Sequence, residues 1–212
     1  MVIINSPTPL LFLLPLLLID IAYFLLGEKY TSRPILGLII SAMLLCALPY
    51  APAYPKYSWQ LTFFISTLCI SLITDLYFFL ISRYVTLYLV PFVCAAAYYQ
   101  IIPISFQESI EGALISFLFL WSFKSLFFMI RKYDGLGQGD IDMLAYIGAF
   151  TGVLGAWCTL LYACIVSLSY LPLQYILSKD SSPQIPLGVF LCIGCCLYLL
   201  FPNFYFSIIN FN

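Results

Sequence analysis

Histidine is absent from this 212-residue chain, and charge is scarce: Asp, Glu, Lys and Arg together make up 8% of it. Without histidine the commonest metal ligand and the usual proton carrier near neutral pH are gone, so acid–base chemistry falls to carboxylates or, failing them, a lysine or cysteine. A soluble domain carries about 25% charged residues. Here 64% of the chain is hydrophobic and the net charge is −1, so most of its surface must face lipid. No long basic run is present, which excludes nucleic acid as a partner, because neutralising phosphates needs clustered Lys and Arg. Tandem repeats, heptads, low-complexity tracts and any polar stretch long enough for a second, soluble domain are missing too. Nothing in the chain calls for a cofactor.

The eight cysteines, at 46, 69, 94, 158, 164, 192, 195 and 196, all sit in apolar stretches, where they act as small hydrophobes. Cys192 and Cys195 have CxxC spacing, but no second pair accompanies them to complete a tetrahedral site. The first apolar run, Pro9–Leu26, carries Asp20 and has no basic residue ahead of it. It reads as a spanning helix and not as a removable signal.

A helical span needs roughly 20 apolar residues. The runs partition into about eight: Pro9–Leu26, Ile35–Tyr50, Leu61–Leu80, Val85–Tyr99, Ser109–Ile130, Asp142–Thr151, Ala156–Leu177 and Ile185–Phe206. The expected fold is an all-α, polytopic membrane helix bundle of about eight transmembrane helices. Residues 1–60 supply the N-terminal helices without a soluble loop domain, and 61–212 form the core. Lys29, Arg33, Arg83, Arg131, Lys132 and Lys179 fall in odd-numbered loops, against Lys56 in the even ones. By the positive-inside rule the odd loops face the cytoplasm.

What the chain does have is one polar, glycine-rich run, from Arg131 to Met143: Arg-Lys-Tyr-Asp-Gly-Leu-Gly-Gln-Gly-Asp-Ile-Asp-Met. Irregular backbone at membrane depth survives where it is buried in protein or lines a wet cavity, so the run is a site candidate; a solvated turn is the plainer reading. Asp75 lies deep in another apolar run, where an ionised side chain costs on the order of 2.5 to 3.5 kcal/mol. The topology puts Asp75 and Asp140 at one depth, near the cytoplasmic face. Two such carboxylates share a proton, since like charges a few Å apart cannot both ionise, and the pair can activate water and protonate a leaving amine. Alternatively, Asp75 pairs with Lys124 or Arg83.

Gly135-Leu136-Gly137-Gln138-Gly139-Asp140-Ile141-Asp142-Met143-Leu144-Ala145-Tyr146-Ile147-Gly148-Ala149-Phe150 resembles the GxGD signature of type IV prepilin leader peptidases, usually GMGxGDxKLLAALGAW. Asp75 to Thr86 resembles their DxxxxxIPxxLT segment, and Gln184 to Leu191 their IPFGPFL run. Asp134 stands where they often carry Glu. The resemblance covers roughly residues 60 to 205. It implies that Asp75 and Asp140 are the catalytic pair of an aspartic endopeptidase, supported by a loop of Asp134, Gly135, Gly137, Gly139 and Asp142. The implied partners are the lipid bilayer and a pilin or pseudopilin precursor whose basic leader is cut at the cytoplasmic face of a bacterial inner membrane. Gly137 and Gly139 are expected to bring Asp140 into the site.

Three departures stand out. The loop Gly27 to Pro34 is short and lacks the cysteine pairs that accompany N-methylation in many such enzymes, and the segment at Asp20 to Phe24 does not match their glycine-rich FGSFLN-type stretch. Peptidase activity without methyl transfer, or with methylation by another protein, is therefore expected. Asp142 replaces a usual lysine, and Ser82-Arg83 replaces Pro-Asn or Pro-Asp; an extra carboxylate beside Asp140 is expected to perturb the pair or cost a substrate contact. A catalytically altered assembly protein and a proton-coupled transporter are the alternatives. The sequence leaves the oligomeric state open.

Overall fold

The computed structural model describes residues 58–78, 81, 83, 86–132, 135–177 and 187–200. The expected spans at 9–26 and 35–50 lie outside these, as do Asp20, Lys29, Arg33, Cys46, Lys56, Ser82, Asp134 and Lys179. The described residues form α1 (Ser58–Phe78), a 3-10 turn (Leu87–Leu89), α2 (Val90–Tyr98), α3 (Phe106–Arg131), α4 (Gln138–Leu177) and α5 (Leu187–Leu200), with no strand among them. Stretches of α3 and α4, Phe106–Arg131 and Gln138–Tyr170, are long and apolar enough to cross a membrane.

The runs at 142–151 and 156–177 are two helices that follow one another within Gln138–Leu177 and meet at a kink at Gly152, whose φ of 75° and ψ of −180° are not helical, so the break falls between the two runs as expected. Glycine takes that left-handed backbone without a Cβ penalty. The helix also begins earlier than expected, so Gly139, Asp140 and Asp142 are helical and do not belong to a loop.

The stretch 140–150 of α4 is buried at every position and forms the centre of the bundle. A helix segment apolar all round is one that must be covered on every side. On one side α1 lays down Leu61, Phe64, Ile65, Leu68 and Leu72, a helical stripe. Phe64 stacks on Phe150 with ring centroids 4.0 Å apart and tilts against Tyr146 at 5.2 Å. The Tyr146 hydroxyl lies 2.7 Å from Thr67 Oγ1. On another side, α5 is buried along most of its length, and Cys192 Sγ donates to the Leu68 carbonyl at 3.2 Å.

In lipid, helices gain little from hiding apolar surface from one another, so association rests on close packing and interhelical hydrogen bonds. The α3–α4 crossing shows both. Ser109, Gly112, Ala113 and Ser116 form the buried face of α3, and a Cβ on Gly112 would run into the Gly148 carbonyl. Ser109 Oγ donates to the Ala149 carbonyl at 2.7 Å. The opposite face of α3 is apolar and open, with Leu114, Leu118, Trp121, Phe123, Leu126 and Met129 exposed. In water so continuous a patch would aggregate; in a bilayer it is the lipid contact.

Both ends of α3 are set locally. Ser105 and Glu108 form a capping box, Ser105 Oγ accepting from the Glu108 amide at 3.2 Å and Glu108 Oε2 from the Ser105 amide at 3.0 Å. At the other end Lys132 adopts a left-handed conformation, φ 61°, and stops the helix. Beyond it, Gly135, Leu136 and Gly137 lead into α4 and Asp140.

Candidate active site

Asp75 sits three residues from the end of α1, and Asp140 is the third residue of α4. Although 65 positions separate them in sequence, the structure brings both to the start of α5. Asp75 Oδ2 accepts a hydrogen bond from the Val189 amide at 3.2 Å. The Gly188 amide interacts with both carboxylates, and the two are close enough to repel each other electrostatically. Both are nearly sealed, with 5% of Asp75 and 8% of Asp140 exposed.

The donors come from helix geometry. The first amides of an α-helix have no partner within it, and the dipole leaves that end positive. The first turn of α5 therefore offers unsatisfied N–H groups where Asp75 lies. Asp140 occupies the first turn of α4 and also takes a backbone contact from Gly137 just ahead of it. Each acid is thereby oriented by backbone and not by a flexible side chain.

Small residues make this approach possible. A Cβ on Gly188 would lie 2.7 Å from Asp75 Oδ2 and 2.6 Å from Ile81 Cδ1. One on Gly139 would lie 2.6 Å from Ile81 Cβ. Ile81 thus wedges between the starts of α4 and α5. Gly137 lies against the Asp140 carboxylate itself, and Gly135 lies against the Phe127 ring of α3. Asp134 is outside the described residues.

Asp142 is buried but does not join the pair. Its Oδ2 meets Arg83 Nε at 3.1 Å, an ionic contact that is not aligned as a hydrogen bond, and Gln138 Nε2 donates to its Oδ1 at 3.4 Å. The extra carboxylate at 142 is thus not left without a counter-charge, since Arg83 lies against it. The alternative of Arg83 pairing with Asp75 is corrected by the same contact. Two departures that look independent in sequence, at 83 and 142, meet in space.

Gly188, Val189 and Ile81 are the site residues that the reading of single residues did not pick out. They stand inside stretches whose resemblance was recognised, but a helix start acts through its amides, which every residue has. The usable signal is a glycine one or two positions after Ile185-Pro186, where a helix beginning would present its free N–H groups.

An apolar helical bundle holding two buried carboxylates at one helix start is built as a paired-acid membrane protein. Comparison with known proteins agrees: the model of the type IV leader peptidase family matches residues 62–171, more than half of the chain, and the chain belongs to that family. It is 29% identical over 150 residues to the prepilin leader peptidase/N-methyltransferase of Bacillus subtilis, covering 70% of this chain and 56% of that protein. It is 32% identical over 98 residues to the protein of that name from Pseudomonas aeruginosa, covering 45% and 33%. For the one from Stutzerimonas stutzeri the identity is 31% over 97 residues, covering 45% and 34%. The chain thus spans about a third of the length of most of these relatives. No solved structure matches.

Proposed function

We propose that this chain is a membrane-embedded aspartic endopeptidase that removes the basic leader from type IV pilin or pseudopilin-like precursors, with Asp75 and Asp140 as its catalytic pair. The observation that carries the reading is the placement of two buried carboxylates from different helices at the start of α5, where the Val189 amide donates to Asp75 and Asp140 lies near enough to feel its charge. Membership of a peptidase family supports it and weighs against a transporter.

In this reading the two acids hold one proton between them, because two negative charges in a dry site repel strongly. The ionised carboxylate takes a proton from water as the oxygen attacks the scissile carbonyl. The protonated one supports the carbonyl oxygen and then passes its proton to the leaving amine, which completes hydrolysis without a covalent enzyme intermediate. The amides of Gly188 and Val189 hold the acids in register.

The bundle proposed has about eight spans, two of them within 1–60, and the site lies near the cytoplasmic face of a bacterial inner membrane, as the placement of Lys and Arg supports. The substrate then lies in the same bilayer with its leader inside. Because the Gly27–Pro34 loop carries no cysteine pair, the reading includes no methyl transfer by this chain.

The test is co-expression with a pilin-type precursor. Wild type is expected to shorten it, and Asp75→Asn and Asp140→Asn to slow cleavage by at least about 10²-fold, the lower range for losing a general acid or base. Wild-type rates in either variant would show that the pair is wrongly assigned.

A further inference from the structure

We propose that Arg83 and Asp142 form an ionic clamp that sets the geometry of Asp75 against Asp140, both acting as positioning residues. This rests on the peptidase reading above and deepens it. Asp142 follows Asp140 by two residues in α4, and residues two apart on a helix point about 200° away from each other. Asp142 therefore faces away from the carboxylate pair. Its side chain is 1% exposed, and a buried carboxylate held in a protein interior needs a cationic partner or strong hydrogen bonds. Arg83 supplies the cation from a side chain that is 54% exposed, so the contact lies at the rim of the bundle.

The strand of chain that carries Arg83 also carries Asp75, eight residues earlier. Between them, Ile81 is wedged against Gly139 of α4 and Gly188 of α5. Asp75, Ile81, Arg83, Asp142, Asp140 and Gly188 thus make a closed circuit: chain from Asp75 to Arg83, ion pair to Asp142, helix back to Asp140, and the Gly188 amide to both acids. Opening the circuit at the ion pair removes the ionic link between the chain after α1 and the start of α4, leaving Ile81 packing and the contacts at Gly188 to hold the acids. A loss of register near 1 Å between reacting groups costs on the order of 10²-fold in rate.

The experiment measures kcat and KM on a pilin-type precursor for the full chain in detergent, with thermal unfolding of every variant. Arg83 is half-exposed, so Arg83→Gln is expected to fold, to lose about 10- to 100-fold in kcat, and to keep KM within about twofold. Arg83→Lys keeps the charge and is expected to recover most of the rate. Unfolding of Arg83→Gln, Asp142→Asn and the double variant is expected to be non-additive, the double losing less than the two singles together, as coupled residues do.

Additive unfolding effects overturn the clamp whether or not any precursor is cut. So does Arg83→Gln with wild-type kcat, a raised KM at unchanged kcat, or Arg83→Lys no better than Arg83→Gln, the last two marking a direct substrate contact. Wild type that cuts nothing while unfolding remains coupled overturns the peptidase reading and the positioning role, leaving a structural ion pair.

Discussion

The Asp75 carboxylate accepts a hydrogen bond from the Val189 amide at 3.2 Å, joining residues 114 positions apart. The bond ties the end of α1 to the start of α5, and Gly188 next to it, lacking a Cβ, leaves room for the Asp75 carboxylate and for Ile81 against the same helix end.

Gly188→Ala is expected to disturb this arrangement more than the fold. The added methyl would lie 2.7 Å from Asp75 Oδ2, closer than a Cβ tolerates, so the carboxylate or Ile81 must move. Cleavage of a pilin-type precursor is expected to fall by about 10- to 100-fold. Thermal unfolding in detergent should stay near wild type, and full activity in this variant would mean the Gly188 contact does not orient the acids.

Gly148→Leu tests the fold instead. Gly148 meets Gly112 backbone to backbone, and a side chain there must push α3 from α4. Overpacking of this kind costs about 1–3 kcal/mol or more. Both the unfolding temperature and the yield of folded protein are expected to drop, and activity per folded molecule to fall only where the helices shift. Unchanged stability would contradict the close crossing.

Mass spectrometry of the processed product checks the proposed absence of methyl transfer. The expected mature N-terminus is an unmodified amine when this chain is the sole processing protein supplied. A mass increase of one methyl group under those conditions would refute it.

Much of the bundle was readable from apolar run length alone. The run at 61–80 became α1 and that at 109–130 became α3, with ends set by Ser105 and Lys132. The start of α4 differs from expectation because Gly139 carries a helix penalty within a glycine-rich stretch, whereas its tertiary packing on Ile81 overrides that propensity. Asp75 and Asp140 stood out because a carboxylate among apolar residues needs a reason. The role of Gly188 did not, since backbone donors leave no mark on residue type. Arg83 and Asp142 were each visible as departures, but sequence distance hid that each answers the other.

The junction at α5 bears on when the protein becomes competent. Both acids emerge from the ribosome before Gly188 does, and elements made first reach the bilayer first. Until the final described helix inserts, the amide that Val189 gives Asp75 is missing, and the Arg83–Asp142 pair alone leaves the two acids without their common anchor. A chain stopped after residue 186 is expected to leave pilin-type precursor intact although it carries both aspartates; cutting by that fragment would show that α5 is dispensable.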